Sequence, residues 1–209
     1  MSVASIEPMR SDLRRAEGPL TADHRRELEL ARRRSKSIRR AAHVAAFNGW
    51  TTAVAAALSA PFALLGLSGL VMTLGIAVVA FHEFRGRKRL LNFDPSAATL
   101  LGCNQLGLLG LIVAYCLWAL SANLNGASPL ATEMQANADL ETALGASLED
   151  MAALGRQIVV LFYGLVIALS VVFQGLNALY YFSRRRYIDE FVAETPEWVR
   201  ELQRATLPA

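Results

Sequence analysis

Three long stretches of the sequence contain no Asp, Glu, Lys or Arg. They cover residues 41–82, 95–122 and 157–183 of the 209-residue chain. A bilayer core about 30 Å thick is crossed by roughly 20 helical residues, so each stretch is long enough to span a membrane. Lipid offers no partner for backbone N–H and C=O groups, so a spanning segment has to satisfy them internally. The three stretches therefore predict an all-α integral membrane protein.

The first stretch is too long for a single crossing. As one helix at about 1.5 Å per residue, it would extend to roughly twice the thickness of the hydrocarbon core. Proline disfavours a helical conformation in the residue before it and is tolerated in the first turn of a helix. The sequence Ser59-Ala60-Pro61 therefore predicts a break between two spans, at about 41–59 and 62–83, and the segment from Gly66 to Gly69 is a second possible break.

Two further spans follow along the chain. Asp94 is a suitable N-cap and Pro95 suits a first helical turn, so a helix is predicted over 95–122. The last apolar stretch predicts a span over 156–182. The complete prediction is an integral membrane four-helix bundle, preceded by a basic juxtamembrane helix.

The distribution of basic residues predicts the orientation. Residues 1–40 hold eleven Lys or Arg, residues 83–96 hold four and residues 183–209 hold five. With four spans, all three regions lie on one side, which the positive-inside rule identifies as cytoplasmic. The opposite loop, 123–155, contains acidic but no basic residues. Both termini are therefore predicted to be cytoplasmic.

The segments outside the spans are predicted to differ in order. Residues 1–20 are predicted to be a disordered tail. Residues 21–40 are predicted to form a basic cytoplasmic helix, and residues 183–209 a tail with a short amphipathic helix. The acidic loop is predicted to be partly helical. The basic helix is expected to lie against anionic lipid headgroups, each cation contributing about 1 kcal/mol. Its predicted lipid-surface residues are Arg25, Arg26, Arg32, Arg33, Arg34, Lys36, Arg39 and Arg40.

Amide side chains are the main polar feature of the predicted spans. The set comprises Asn48, Asn104, Gln105, Gln174 and Asn177. The predicted topology places all of them in the cytoplasmic half of the bilayer. Two interpretations remain open: hydrogen bonds that assemble the bundle, or the lining of a small polar pocket open to the cytoplasm. No charged group is expected inside the spans, which argues against ion-coupled transport.

The sequence favours a non-enzymatic role. It offers no nucleophile paired with a base, no cluster of metal ligands and no glycine-rich phosphate loop. Neither a cofactor nor a metal is predicted. Anionic lipids are the predicted partners, a second copy or another protein is an open alternative, and no nucleic acid is expected because interleaved aromatic residues are lacking. The alternative function is a small transport or channel-like subunit that uses the amides.

Several motifs resemble a group of small uncharacterised bacterial multi-pass membrane proteins. They are the loop 83–91, the helix start 92–95, the run from Asn104 to Trp118 and the segment 173–182. The resemblance covers roughly residues 41–204. It implies a bacterial inner-membrane location and carries no catalytic residues, since no activity is assigned to that group.

Overall fold

The computed structural model of the chain describes residues 20–125 and 148–206. This part is almost entirely helical and contains no β-strand, which confirms the all-α prediction. Its five α-helices, numbered in chain order, are α1 Ala22–Ser59, α2 Leu67–Leu91, α3 Ser96–Asn125, α4 Leu148–Glu194 and α5 Glu197–Ala205. Residues 1–19 of the predicted tail and the central part of the acidic loop, residues 126–147, lie outside the described residues.

The basic segment and the first predicted span form one helix. α1 runs without interruption for 38 residues, and the side-chain oxygen of Thr21 caps its start by accepting from the backbone N–H of His24 at 3.3 Å. The sequence left open whether these two segments are continuous. Because they are, the basic residues are carried on the same rigid element as the apolar half of the helix.

A short 3₁₀ segment over Ala60–Leu64 connects α1 to α2. Pro61 lies in its first turn, within the sequence from which the break was predicted. Gly66 then adopts φ 155°, which residues with a Cβ rarely reach, and α2 begins at the next residue. The hydroxyl of Thr73 donates to the carbonyl of Ser59 at 2.9 Å and ties the two helices together.

The connection between α2 and α3 is tight and buried. Phe93 adopts a left-handed conformation at φ 58°, which is uncommon for a bulky residue. Its ring is almost fully buried and lies 4.5 Å from the ring of Phe191 on α4, so packing compensates for the backbone strain. The Oδ1 atom of Asp94 accepts from the backbone N–H of Ser96 at 2.9 Å and caps α3.

The buried apolar core lies at the basic end of the molecule. There the first half of α1 meets the end of α2, the start of α3, the end of α4 and α5. The largest buried apolar side chains of this core are Ile38, Leu90, Phe93, Leu101, Tyr181, Ile188, Phe191 and Val199. At the opposite end, large apolar side chains are exposed, including Leu58, Leu64, Leu67, Leu161 and Phe162. So much exposed apolar surface is typical of helices that lie in lipid.

Three helices are long and apolar enough to cross a membrane: Leu67–Leu91, Ser96–Asn125 and Ala153–Glu194. The predicted first span, 41–59, is not among them. It belongs to α1, where Asn48 and the small or weakly polar residues that follow it lower the mean hydropathy. The described chain therefore has three apolar spanning candidates among five helices.

The C-terminal part folds back onto α1. α4 continues to Glu194, whose carboxylate forms an ion pair of 2.7 Å with Arg34. In α5, Val199 is fully buried, and the ring of Trp198 makes an edge contact with His24 at 5.1 Å. These contacts fix the basic half of α1 relative to the end of α4.

Candidate functional site

An acidic side chain lies inside the helix bundle, where the sequence analysis expected no charged group. Glu83 follows the first uncharged stretch directly, and its side chain is fully buried. It is not a loop residue, because α2 continues to Leu91. The buried residues Val79, Glu83, Gly86 and Leu90 recur at intervals of three and four and so share one face of α2. The expectation of an uncharged interior is therefore wrong at this position.

The carboxyl group of Glu83 accepts hydrogen bonds from two other helices. Asn104 Nδ2 and Gln105 Nε2 of α3 donate to Oε1 at 2.9 and 2.7 Å. The hydroxyl of Tyr181 on α4 donates to Oε2 at 3.4 Å. No basic side chain of the described residues forms an ion pair with this carboxyl. Amide and hydroxyl dipoles therefore satisfy the buried oxygens in place of a counter-charge.

The first helix completes this arrangement. Asn48 Nδ2 donates to the Tyr181 hydroxyl at 3.1 Å. The neighbouring Gly49 lets α1 approach α2 closely, since a Cβ added there would lie 3.2 Å from Glu83 Cβ. All four long helices thus meet at one polar cluster, which we call the Glu83 cluster: Asn48, Glu83, Asn104, Gln105 and Tyr181.

Three of the five predicted amides belong to the Glu83 cluster and two do not. Gln174 and Asn177 lie half-buried on α4, and neither side chain makes a hydrogen bond within the part of the chain that the structure describes. Tyr181, one turn after Asn177, is the residue by which α4 reaches the carboxyl. The amides of α1 and α3 are therefore brought together, while those of α4 stay outside.

Sequence reasoning missed Glu83 and gave Tyr181 no role in the cluster. The predicted span 62–83 ends at Glu83 and the loop 83–91 begins there, so Glu83 is not among the polar residues predicted inside the spans. The available signal was its register: Glu83 is three residues before Gly86 and seven before Leu90, the spacing of one helix face. That spacing indicates a shared buried face only because α2 remains helical as far as Leu91.

An open groove of about 670 Å³ lies beside the cluster, between α2 and α3. Its lining is mostly apolar or small, and Asn104 and His82 are its main polar residues. Asn104 also donates to the carbonyl of Val79 at 3.0 Å, so its amide links the groove to the buried carboxyl. Glu83 itself has no exposed surface.

The eight predicted lipid-surface residues all lie on α1 but differ in their surroundings. Four of them, Arg32, Lys36, Arg39 and Arg40, line a groove together with His43. Three are exposed: Arg25, Arg26 and Arg33. The last, Arg34, points toward α4, where it pairs with Glu194 and also donates to its carbonyl at 3.2 Å. Most of the predicted basic surface is thus exposed, and one residue serves to hold the C-terminal part.

Comparisons with known proteins add no assignment. No family model, no curated protein and no solved structure matches this chain. Within residues 20–125 and 148–206, no three His, Cys, Asp or Glu side chains lie close enough to share a metal ion. The Glu83 cluster and the basic surface of α1 are the two features of the described residues that bear on function.

Proposed function

We propose that the chain is a non-enzymatic multi-pass membrane protein that binds anionic lipids through its basic face. The observation that carries this proposal is the exposed, unpaired positive charge on α1. In the described part of the chain, Arg34 is the only basic residue of α1 in an ion pair. The remaining basic residues are free to attract anionic headgroups, each with about 1 kcal/mol near the leaflet surface.

The proposal includes a four-span topology with both termini in the cytoplasm of a bacterial cell. The apolar half of α1 presents Phe47, Trp50, Val54 and Leu58 on its exposed surface, which suits a fourth span beside the three more hydrophobic helices. Four crossings also bring residues 1–40, 83–96 and 183–209 to one side, as the positive-inside rule favours. A three-span topology would separate the basic ends.

Reporter fusions test this topology. A reporter that is active only outside the cytoplasm is expected to work after Leu140, and a cytoplasmic reporter is expected to work after Leu91 and at both termini. The physical reason is that translocating an Arg-rich segment is unfavourable compared with translocating an acidic loop. Termini found in different compartments would contradict the four-span proposal.

Lipid-dependent stability tests the binding role. A lipid that binds the folded state raises its stability, by about 2.7 kcal/mol at one hundred times its Kd. In thermal unfolding of the detergent-purified full chain, we expect phosphatidylglycerol to raise Tm more than phosphatidylcholine does. Because the attraction is electrostatic, the difference is expected to shrink as salt increases. Equal stabilisation by both lipids at low salt would contradict the proposal.

A small transport or channel-like subunit is the second candidate function, and Glu83 is the observation that favours it. Ionisable side chains within membrane helices are costly and frequently mark ion or proton paths. Asn104 donates to this carboxyl and also lines the groove between α2 and α3, so the carboxyl lies close to that groove. This candidate predicts that flux depends on Glu83, whereas a purely structural cluster predicts that only stability does.

A further inference from the structure

The groove on α1 has a composition that singles it out from the rest of the basic surface. It measures about 320 Å³, and all five of its lining residues are basic or histidine: Arg32, Lys36, Arg39, Arg40 and His43. Their spacing of three and four residues places them on one face of the helix. The acidic partner Glu194 is held by Arg34 on another face. No acidic residue of the described chain lines the groove or forms an ion pair with its five residues, so the groove concentrates positive charge.

Arg39 is the least exposed of the five residues that line this groove. Arg39 is half-buried, and its Nε atom is shielded from solvent without a hydrogen bond. A guanidinium group matches the oxygens of a phosphate with paired hydrogen bonds, which an ammonium group does not provide. The chemistry of the groove thus suits a phosphate.

The same face of α1 changes from basic to apolar directly after the groove. Phe47 follows His43 by one helical turn, and Trp50 and Val54 follow at the same spacing. All three apolar side chains are exposed, Phe47 by 70% and Trp50 by 66%. A ligand on this face would meet cations at one end and an apolar surface at the other. Inorganic phosphate would use only the first half of it.

We propose that this face of α1 is a discrete binding site for an anionic glycerophospholipid. The phosphate lies among Arg32, Arg39 and Arg40, and the acyl chains run along Phe47, Trp50 and Val54. The site rests on the proposed lipid-binding function and adds a defined position and geometry to it. If binding is a general attraction to the leaflet, the lipid affinity depends only on the total charge. If it occurs at a discrete site, the lipid affinity depends on which arginine is replaced.

Charge-conserving variants separate these two cases. Native mass spectrometry of the detergent-purified full chain, titrated with phosphatidylglycerol, gives the affinity for the first bound lipid. Arg39→Lys keeps the charge but removes Nε and the paired geometry, and we expect about a fivefold to tenfold weaker affinity. The matched control is Arg204→Lys, an exposed position on α5 that lies outside the groove and outside the predicted lipid-surface residues, and it is expected to bind like the unmodified chain. Unchanged unfolding temperatures verify that both variants fold.

Three outcomes would overturn the proposal in distinguishable ways. If both variants bind phosphatidylglycerol like the unmodified chain, or both weaken equally, the attraction is diffuse, and the proposed function stands without this site. If the unmodified chain binds phosphatidylcholine as tightly as phosphatidylglycerol, both the site and the proposed function fail. If excess inorganic phosphate displaces the lipid, the groove selects free phosphate, and the assignment to a lipid fails.

Discussion

Replacing Glu83 with leucine is expected to destabilise the folded bundle by about 2 to 5 kcal/mol. The variant removes the acceptor of three hydrogen bonds from α3 and α4. Each interhelical hydrogen bond contributes about 0.6 to 1.7 kcal/mol in a membrane. The amides of Asn104 and Gln105 would remain buried with fewer partners. Unfolding of the detergent-solubilised chain by titration with a denaturing detergent measures this loss.

Glu83→Gln is the matched control. It keeps the shape of the side chain and one carbonyl oxygen that accepts from the α3 amides, so its free energy of unfolding is expected to change by less than about 1 kcal/mol. The new amide can donate to the Tyr181 hydroxyl, which then acts as an acceptor. If Glu83→Leu were as stable as the unmodified chain, the cluster would not hold the helices together.

The same pair of variants distinguishes the two candidate functions. A structural cluster requires only hydrogen-bonding capacity, which glutamine retains. A proton path requires a group that exchanges protons, which glutamine does not provide. Proton flux into liposomes, followed with a pH-sensitive dye, is expected to be absent for both the unmodified chain and Glu83→Gln. Flux that Glu83→Gln abolishes without loss of stability would instead favour the transport function.

Gly86→Ala is expected to have the second large effect, a loss of about 1 to 3 kcal/mol. A Cβ at this position would lie 2.5 Å from Leu101 Cγ. Leu101 is fully buried and belongs to the core at the basic end, so it has little room to move. Either α2 and α3 separate, or the leucine adopts a strained rotamer. The same denaturing-detergent titration measures the change.

Gly107→Ala serves as the control for helix propensity. Gly107 lies on α3 with no atom within 4 Å of an added Cβ, so the methyl group enters open space. Alanine favours a helix by up to about 1 kcal/mol over glycine, and this variant is expected to be neutral or slightly more stable. If alanine changed the free energy of unfolding by the same amount at positions 86 and 107, the close approach of α2 and α3 would be contradicted.

The helical class followed from the sequence because lipid imposes a strict requirement on the backbone. Uncharged stretches of spanning length have to form helices, whichever neighbours they meet. The 3₁₀ segment that contains Pro61 and the cap by Asp94 are likewise local effects of residue type. Segment lengths were harder to predict. Nothing in the composition at the end of α2 distinguishes a charged helix end from a loop.

Tertiary structure decided which polar residues matter. Asn48, Asn104 and Gln105 were visible as amides in the sequence, yet so were Gln174 and Asn177, which stay outside the cluster. A side chain joins a buried network only if its helix is rotated toward the others, and that rotation depends on packing such as the contact of Gly86 with Leu101. Local sequence set the helices and the charge of each end. The position of Glu83 among four helices depended on their mutual packing, because burial is a property of neighbours distant in the chain.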